Sequence, residues 1–376
     1  MKFSRQVLIW CVAAGIFLFG LVQGFSVAVR KPLWTDEIYS QISSVEGKDL
    51  LTMWRGGIRE GNNAPLFYTI QKVICQATGF KGGDLWHKHD LTSMIVLRVA
   101  PVIFMSLALA FIFWFFARTG SLVMGAAALF MAMATYLVWA YWAEARPYAM
   151  LYALTALQAV VLMQALCSRD LSRGWRSAAC VHIILAFTSP LSVIQVGASA
   201  LVLWLAGYRK FVPLMLTVVV PLALGFWYHF SYTEHYSFWF TPYGQPLALV
   251  KSALPESRLI FLMAAPLILW TGVKRSGKNV DPGIWLFLGW VWLTILGYGV
   301  FLTYLWLKQK PHVGFEVSNR YMMALAPIGV VAVMFLFMEL YKRAASIWAR
   351  GFLWLIMAIL VLPRLVKVFR WASFLN

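Results

Sequence analysis

The stretch VLIWCVAAGIFLFGLVQGFSVAVRKPLWTDE, residues 7–37, joins a long apolar run to a short segment with both basic and acidic side chains. Residues 7–29 are long and apolar enough to cross the hydrocarbon core of a bilayer as a helix. No small-residue cleavage site follows this run, so we expect a retained transmembrane helix and not a signal peptide. That helix would deliver Asp36 and Glu37 to the membrane surface.

The rest of the chain repeats the apolar pattern. Hydrophobic residues make up 61% of its 376 residues, charged residues make up 12%, and the mean hydropathy is +0.74. This composition predicts an all-α polytopic membrane protein, because long apolar segments satisfy their backbone in lipid by forming helices. We expect a single domain over residues 1–376, without a soluble C-terminal domain.

About eleven spans are predicted. They lie at residues 7–29, 94–116, 121–141, 147–167, 177–189, 191–206, 211–230, 258–273, 283–306, 321–341 and 351–366. The fifth and sixth are short and meet at Ser189-Pro190, so a helical hairpin that does not fully cross the membrane is the alternative for these two.

The distribution of charge predicts which side of the membrane carries the chemistry. Short Lys/Arg-rich segments mark the cytoplasmic side, which places the N-terminus inside. Of the 14 acidic residues, 11 then fall outside. We therefore expect the polar chemistry of the protein to lie on the outer side of the membrane. The net charge of +18 indicates contact with anionic membrane lipids and a phosphate-bearing substrate, and not with nucleic acid.

Two outer loops, 30–93 and 231–257, carry most of the remaining polar residues. The first is predicted to contain two amphipathic interfacial helices, one from Thr35 to Gly47 and one from about residue 63 to Gly79. Their apolar faces are Ile38, Ile42 and Val45 in the first helix and Phe67, Ile70, Ile74 and Ala77 in the second. The second loop is rich in aromatic residues, which favours an interfacial belt or, alternatively, a lid or sugar-stacking surface.

Several residues of these loops are candidates for contacts with a sugar or an acceptor. They are Arg55, Arg59 and Asn63 in the first loop, and His235 and Trp239 in the second.

The adjacent acids Asp36 and Glu37 are the candidate catalytic residues. Both fall in the first turn of a predicted helix, where the helix dipole stabilises a carboxylate. A purely structural role is therefore one interpretation. The other is a general base, because a hydroxyl nucleophile at the membrane surface needs a positioned carboxylate.

Cationic residues at the outer ends of other spans are candidates for binding a phosphate. The segment EARPY, residues 144–148, opens the fourth span and places Arg146 and Tyr148 at a helix N-terminus, where backbone N–H groups and a guanidinium converge. Arg320 and Tyr321 open the tenth span in the same way, and Arg98 lies near the start of the second. The alternative for each arginine is snorkelling to lipid headgroups.

No cofactor is predicted. His87 and His89, near Asp84 and Asp90, have the spacing of metal ligands, but nothing downstream completes a metal site, so a divalent metal stays an open alternative. Neither a phosphate-binding loop of the Walker type nor a Gly-rich dinucleotide loop is found, and the inner loops are short. We therefore do not expect a nucleotide-sugar donor on the cytoplasmic side.

Five segments together resemble the GT-C membrane glycosyltransferases, in the branch of the protein O-mannosyltransferases and the lipid A aminoarabinose transferase. They keep the order of that family over about residues 30–330. The segments are WTDE (34–37), NAPLFY (63–68), LRVAP (97–101), EARPY (144–148), and Arg320-Tyr321 leading into Ala326-Pro327. Ala64 departs from the pattern, since relatives often carry a Pro-Pro pair there.

The resemblance implies a GT-C_A-like fold and transfer of a sugar from a polyprenyl-phosphate carrier to a hydroxyl acceptor, with inversion, on the outer face. It implies that Asp36 deprotonates the acceptor, with Glu37 as its companion. It places Arg146, Tyr148 and Arg320 near the donor phosphate, and we add Tyr321 and Arg98 to this group. A bacterial envelope glycan or lipopolysaccharide is the favoured acceptor, and a protein hydroxyl is the second.

Two other functions are weighed against this one. A transporter or lipid flippase places ionisable residues near the bilayer midplane and often shows inverted repeats, whereas the middles of the predicted spans carry almost no charge and no repeat is visible. A ligase or polymerase of lipid-linked oligosaccharides, or a non-catalytic partner, would also handle lipid-linked glycans outside the membrane, and an enzyme of this kind would transfer whole blocks.

Overall fold

The computed structural model describes residues 4–58, 64–86, 90–167, 171–205, 212–232, 246–276, 281–308 and 319–373, and these are helical with no strand among them. The helices are α1 (Arg5–Arg30), α2 (Thr35–Ser40), α3 (Leu50–Thr52), α4 (Pro65–Thr78), α5 (Leu91–Thr119), α6 (Leu122–Met133), α7 (Tyr136–Tyr141), α8 (Tyr148–Cys167), α9 (Leu171–Ala186), α10 (Ser192–Leu205), α11 (Val212–Tyr232), α12 (Pro246–Ala253), α13 (Glu256–Ser276), α14 (Pro282–Lys308), α15 (Leu325–Arg343) and α16 (Ile347–Ser373). Short π-helical segments, Gln41–Val45 and Met53–Gly57, and a 3₁₀ turn, Asn319–Met322, lie between them.

Six of these helices are long and apolar enough to cross a membrane: α1, α5, α8, α14, α15 and α16. A seventh span results if α12 and α13, which meet at an angle of 79°, form one broken crossing. The prediction of an all-α chain with membrane-spanning helices is therefore confirmed. The count of eleven stays a prediction, because α6, α9, α10 and α11 contribute only shorter apolar stretches to the described residues.

Helix α15 forms the centre of the bundle. Its apolar segment is buried over its whole length, and it packs against α6, α8, α13 and α14. Helices α1 and α16 lie at the periphery, where 22% and 28% of the residues in their apolar segments are buried. They expose large apolar side chains, such as Phe19 and Trp348, as expected of helices that face lipid.

Close packing of α1 on α5 fixes where the first loop begins. Gly20 and Gly24 stand four residues apart on α1, and a Cβ atom at Gly24 would lie 2.7 Å from Cγ1 of Val102. Small residues at this spacing let two membrane helices approach closely. The C-terminal end of α1 is thereby held against the part of α5 that carries Arg98.

The first outer loop forms two helical segments at the predicted places, with corrections. Helix α2 begins at Thr35, and Trp34 occupies the N-cap position, where its backbone N–H donates to Glu37 Oε2. Helix α4 begins at Pro65 and ends at Thr78, and Gly79 follows as its C-cap with a φ of +68° that suits glycine. The predicted apolar stripe of α4 was wrong in part, since Ala77 is exposed.

The buried face of α4 is centred on Phe67, Tyr68, Gln71 and Cys75. The physical reason is a buried hydrogen bond of 2.9 Å from Gln71 Nε2 to the backbone oxygen of Leu97. This bond turns the polar Gln71 toward α5 and rotates the helix relative to the orientation that apolar periodicity alone predicts. Helix α4 therefore braces the same turn of α5 that precedes Arg98.

The substitution Gly24→Ala tests the close approach of α1 and α5. Alanine favours a helix by about 1 kcal/mol over glycine, but the added methyl group collides with Val102 and Trp142, and overpacking of this kind costs about 1–3 kcal/mol. We expect a lower midpoint of thermal unfolding in detergent. Gly15→Ala is the matched control, since a Cβ at Gly15 meets nothing within 4 Å. Equal midpoints for the two variants would contradict the packing.

Candidate functional site

The two adjacent acids of the first loop have different environments. Glu37 is completely buried and accepts two hydrogen bonds from the guanidinium of Arg98, at 2.9 Å from Nε and 2.7 Å from Nη2. The same carboxylate also accepts from the backbone N–H groups of Ala145, at 2.7 Å, and Trp34, at 3.1 Å. All four contacts are to groups of the protein, so Glu37 is a structural anchor.

Arg98 completes this anchor from the other side. Its remaining N–H groups donate to the backbone oxygens of Ala28 and Pro32, at 2.7 and 2.9 Å, and to that of Lys31. The guanidinium is fully buried, and its five N–H donors are all used. The prediction that Arg98 contacts the donor phosphate is therefore corrected: Arg98 holds the C-terminal end of α1 and positions Glu37.

Asp36 lies beside this anchor and is held by two arginines from distant parts of the chain. Its Oδ2 accepts hydrogen bonds from Nη1 of Arg146 and, at 2.6 Å, from Nη1 of Arg320. The Asp36 side chain remains 34% exposed. Its Oδ1 accepts no hydrogen bond from the part of the chain that the structure describes. One oxygen of the carboxylate is thus held by both guanidiniums, while the other has no hydrogen-bond donor among the described residues.

Aromatic rings surround the two guanidiniums. Arg320 lies over the rings of Trp34, Tyr148 and Tyr321 at 6.0, 6.0 and 5.7 Å from their centroids. Arg146 lies 5.5 Å from the centroid of Tyr148. Cation–π contacts of this kind stabilise a charge that has lost part of its water. The structure therefore brings the predicted residues Asp36, Arg146, Tyr148, Arg320 and Tyr321 into one cluster.

The pKa of Asp36 reflects the balance within this cluster. Partial burial alone would raise it, but the charges of Arg146 and Arg320 and their hydrogen bonds to the carboxylate outweigh burial and lower the pKa below its usual value. Asp36 is consequently ionised throughout the neutral range. The cluster then carries two positive charges and one negative charge.

Glu144 is a further acidic group beside the cluster, on the segment that leads into Arg146. Its side chain is buried, and its Oε1 has no hydrogen-bond partner within the described residues. Burial raises the pKa of Glu144 to about 7, against the opposing charges of Arg146 and Lys31. Glu144 therefore changes its charge near neutral pH, next to an arginine that holds Asp36. The sequence pattern around Glu144 did not predict this environment.

Arg258 is a second residue that the sequence analysis missed. Its guanidinium is completely buried and donates to Thr135 Oγ1 at 2.9 Å and to the backbone oxygen of Met131 at 2.6 Å. It thereby ties the break between α12 and α13 to the break between α6 and α7. Both α7 and α12 pack on the 3₁₀ turn that carries Arg320. Arg258 stands at the boundary of a predicted span, where an arginine is usually interpreted as snorkelling to lipid headgroups. No signal in the sequence distinguished a buried structural arginine from a snorkelling one.

The remaining candidate residues are not part of the cluster. Arg55 is exposed at a kink before Gly56 and makes no hydrogen bond or ion pair to the cluster. Arg59, Asn63, His235 and Trp239 lie outside the described residues, as do His87 and His89. Among the residues that are described, no group of three or more His, Cys, Asp or Glu side chains has the arrangement of a metal site.

Fold and site together define an integral membrane protein with a carboxylate–guanidinium cluster at one end of its helical bundle. No protein-family model and no curated protein sequence matches this chain.

The buried carboxyl of Glu144 predicts a pH dependence of stability. The fold raises its pKa from 4.5 to about 7, so the folded protein binds the proton more tightly than the unfolded chain does. The contribution of the protonated group is complete below about pH 4.5 and is lost as the pH rises through 7, on the order of 3 kcal/mol in all. We expect the thermal midpoint of wild type to fall over this interval relative to that of Glu144→Gln. Parallel curves for the two proteins would contradict this assignment.

Proposed function

We propose that this protein is an inverting glycosyltransferase that moves a sugar from a polyprenyl-phosphate carrier to a hydroxyl acceptor at the outer face of the membrane. One observation carries the proposal. A partly exposed carboxylate, Asp36, is held through a single oxygen by two guanidiniums, those of Arg146 and Arg320. This arrangement supplies a base and an anion-binding group within one small site.

Charge supports a phosphate as the ligand of the arginines. Two guanidiniums share one carboxylate, so the pair retains an excess positive charge that a sugar phosphodiester would neutralise. Arginine binds phosphate through paired N–H donors. The same charges stabilise the phosphate as it leaves and gains negative charge, which is where such a site contributes most to the rate.

Asp36 is the general base of the proposed reaction. In the absence of donor, the pairing with Arg146 and Arg320 lowers its pKa and makes it a weak base. A bound phosphate competes for the same guanidiniums, which restores basicity to the carboxylate only when donor is present. Its Oδ1 accepts the proton of the acceptor hydroxyl, the hydroxyl oxygen attacks the anomeric carbon, and the polyprenyl phosphate departs with the bonding electrons.

Glu37 and Arg98 act in this proposal as positioning residues. They tie the end of α1, the start of α2 and the backbone of Ala145 into one buried unit. Asp36 and Arg146 each neighbour a member of that unit in sequence. The distance between the base and the phosphate-binding group is therefore set by contacts that substrate does not touch.

The finer architecture belongs to the same proposal. We infer a GT-C_A-like fold of eleven spans, to which the six long helices, the bent pair and the four shorter apolar helices correspond in number. We place the chain in the bacterial inner membrane with Asp36 on the periplasmic side, in agreement with the charge bias of the loops. An envelope glycan or lipopolysaccharide is the proposed acceptor, with a protein hydroxyl as the second candidate.

The substitution Asp36→Asn tests the base. Purified protein is incubated with a panel of labelled polyprenyl-phosphate sugars and membrane extract, and label transferred to glycan, lipid or protein is measured. Loss of a general base typically costs about 10²–10⁴ in rate, so we expect Asp36→Asn to lower transfer by at least a hundredfold while its thermal midpoint stays near that of wild type.

The neighbouring variant Glu37→Gln is the contrast. It leaves the base in place but removes one charge of a buried pair, and breaking such a pair costs about 3–5 kcal/mol. We therefore expect the main defect of Glu37→Gln to be a lower thermal midpoint of unfolding. Normal transfer by Asp36→Asn would exclude Asp36 as the base, and label that moves as preassembled oligosaccharide blocks would favour a ligase or polymerase.

Arg320→Lys tests the phosphate contact. Lysine keeps the charge but loses the planar pair of donors, so we expect kcat/KM for the donor to fall by about 10²-fold at unchanged KM for the acceptor. Arg176→Lys, at an exposed position on α9, is the matched control and should behave as wild type. A defect in acceptor KM alone would argue against donor phosphate binding at Arg320.

A further inference from the structure

A cleft of about 430 Å³ lies at the opposite end of the bundle from Asp36. It is formed where α5 turns into α6 and where α15 and α16 come together. Its lining contains the polar residues Thr119, Gly120, Ser121 and Lys342, the aromatic residues Tyr341 and Trp354, and the apolar residues Val123, Met124 and Met338. None of these belongs to the Asp36 cluster.

Helices α5 and α15 both run between the Asp36 cluster and the cleft, so they give the distance between the two sites across the membrane. On α5, Arg98 contacts the anchor of the cluster and Thr119 lines the cleft. At the helical rise the two positions are about 30 Å apart, which is about the thickness of the hydrocarbon core. Helix α15 likewise follows the turn that carries Arg320 and ends near Lys342. The cleft therefore lies at the other membrane surface.

Basic side chains surround the cleft. Lys342 lines it, Arg343 follows on the same helix, and Arg350 lies 5.5 Å from the ring centroid of Tyr341. Arg5 donates to the backbone oxygen of Gly120, a residue that lines the cleft, at 2.5 Å. Glu339 neutralises part of this charge through Lys342 and Arg343. The remaining charge around the opening is positive.

We propose that this cleft binds the headgroup of an anionic phospholipid from the leaflet opposite the Asp36 site. The hydroxyl of Ser121 and the ammonium of Lys342 are suited to a phosphate, whereas the hydroxyl of Thr119 already donates to the backbone oxygen of Phe115 at 2.8 Å. Tyr341 and Trp354 have the amphipathic character of residues at the level of lipid headgroups. Val123, Met124 and Met338 supply an apolar wall for the upper part of the acyl chains. Basic pockets between spanning helices bind anionic headgroups in this way.

A water-soluble phosphate compound offers the same headgroup chemistry but not the acyl chains. The lipid is the better occupant, because the cleft opens among helices whose neighbouring surface residues, such as Val123 and Phe352, are exposed and apolar. Only a molecule with both a phosphate headgroup and acyl chains can therefore contact the basic residues and the apolar wall of the cleft at the same time.

The experiment compares phosphatidylglycerol with phosphatidylcholine of the same acyl chains. Full-length protein is purified in detergent, and lipid binding is measured by native mass spectrometry, with thermal stability as a second readout. We expect tighter binding of phosphatidylglycerol to wild type. The preference should fall about fivefold for each cation removed in Lys342→Gln and in Lys342→Gln/Arg350→Gln.

Two further variants separate the cleft from general surface charge. Lys251→Gln is the matched control, since Lys251 is also an exposed lysine paired with a glutamate, and it should keep the full preference. Val123→Trp fills the cleft without changing charge and should weaken the preference. Equal binding of the two lipids by wild type, or a preference unchanged in Lys342→Gln and Val123→Trp, would overturn the proposal, as would equal stabilisation by glycerol phosphate.

Discussion

The buried ion pair of Glu37 and Arg98 is the interaction on which the site depends. Removing two charges from water is expensive, and the attraction between them compensates only when the other donors and acceptors are also satisfied. Here Glu37 accepts four hydrogen bonds and Arg98 donates five. The charges of the pair are therefore compensated within the protein. It joins α1, α2, α5 and the start of α8 in a single arrangement.

Neighbouring acids with opposite roles follow from helical geometry. Successive side chains in a helix point in directions about 100° apart, so Asp36 and Glu37 cannot both face the same partner. Glu37 turns inward to Arg98 and becomes fully buried, while Asp36 turns along the surface and meets Arg146 and Arg320. A buried anchor and a partly exposed carboxylate can thus share one turn, and the anchor fixes the position of the carboxylate beside it.

Local patterns in the sequence predicted the parts of this structure that depend on local physics. The apolar run of residues 7–29 predicted α1. Pro65 at the start of α4 and Gly79 just after its end predicted that helix. The pair of Glu37 and Arg98 could not be predicted in this way, because 61 residues separate the partners, and the role assigned to Arg98 was wrong for that reason. Arg320 lies 284 residues from Asp36, and it was singled out as a cation at a helix end and through the family resemblance, without its contact to Asp36 being predicted.

The excess of positive charge in the Asp36 cluster is the feature that most needs a physical explanation. Two guanidiniums that share one carboxylate oxygen repel each other, and the aromatic rings around Arg320 compensate only part of that cost. A purely structural cluster would be more stable with a second acid ionised beside it, and Glu144 is in position for this. Burial instead holds its pKa near 7, so Asp36, Arg146 and Arg320 together keep an excess of positive charge at neutral pH.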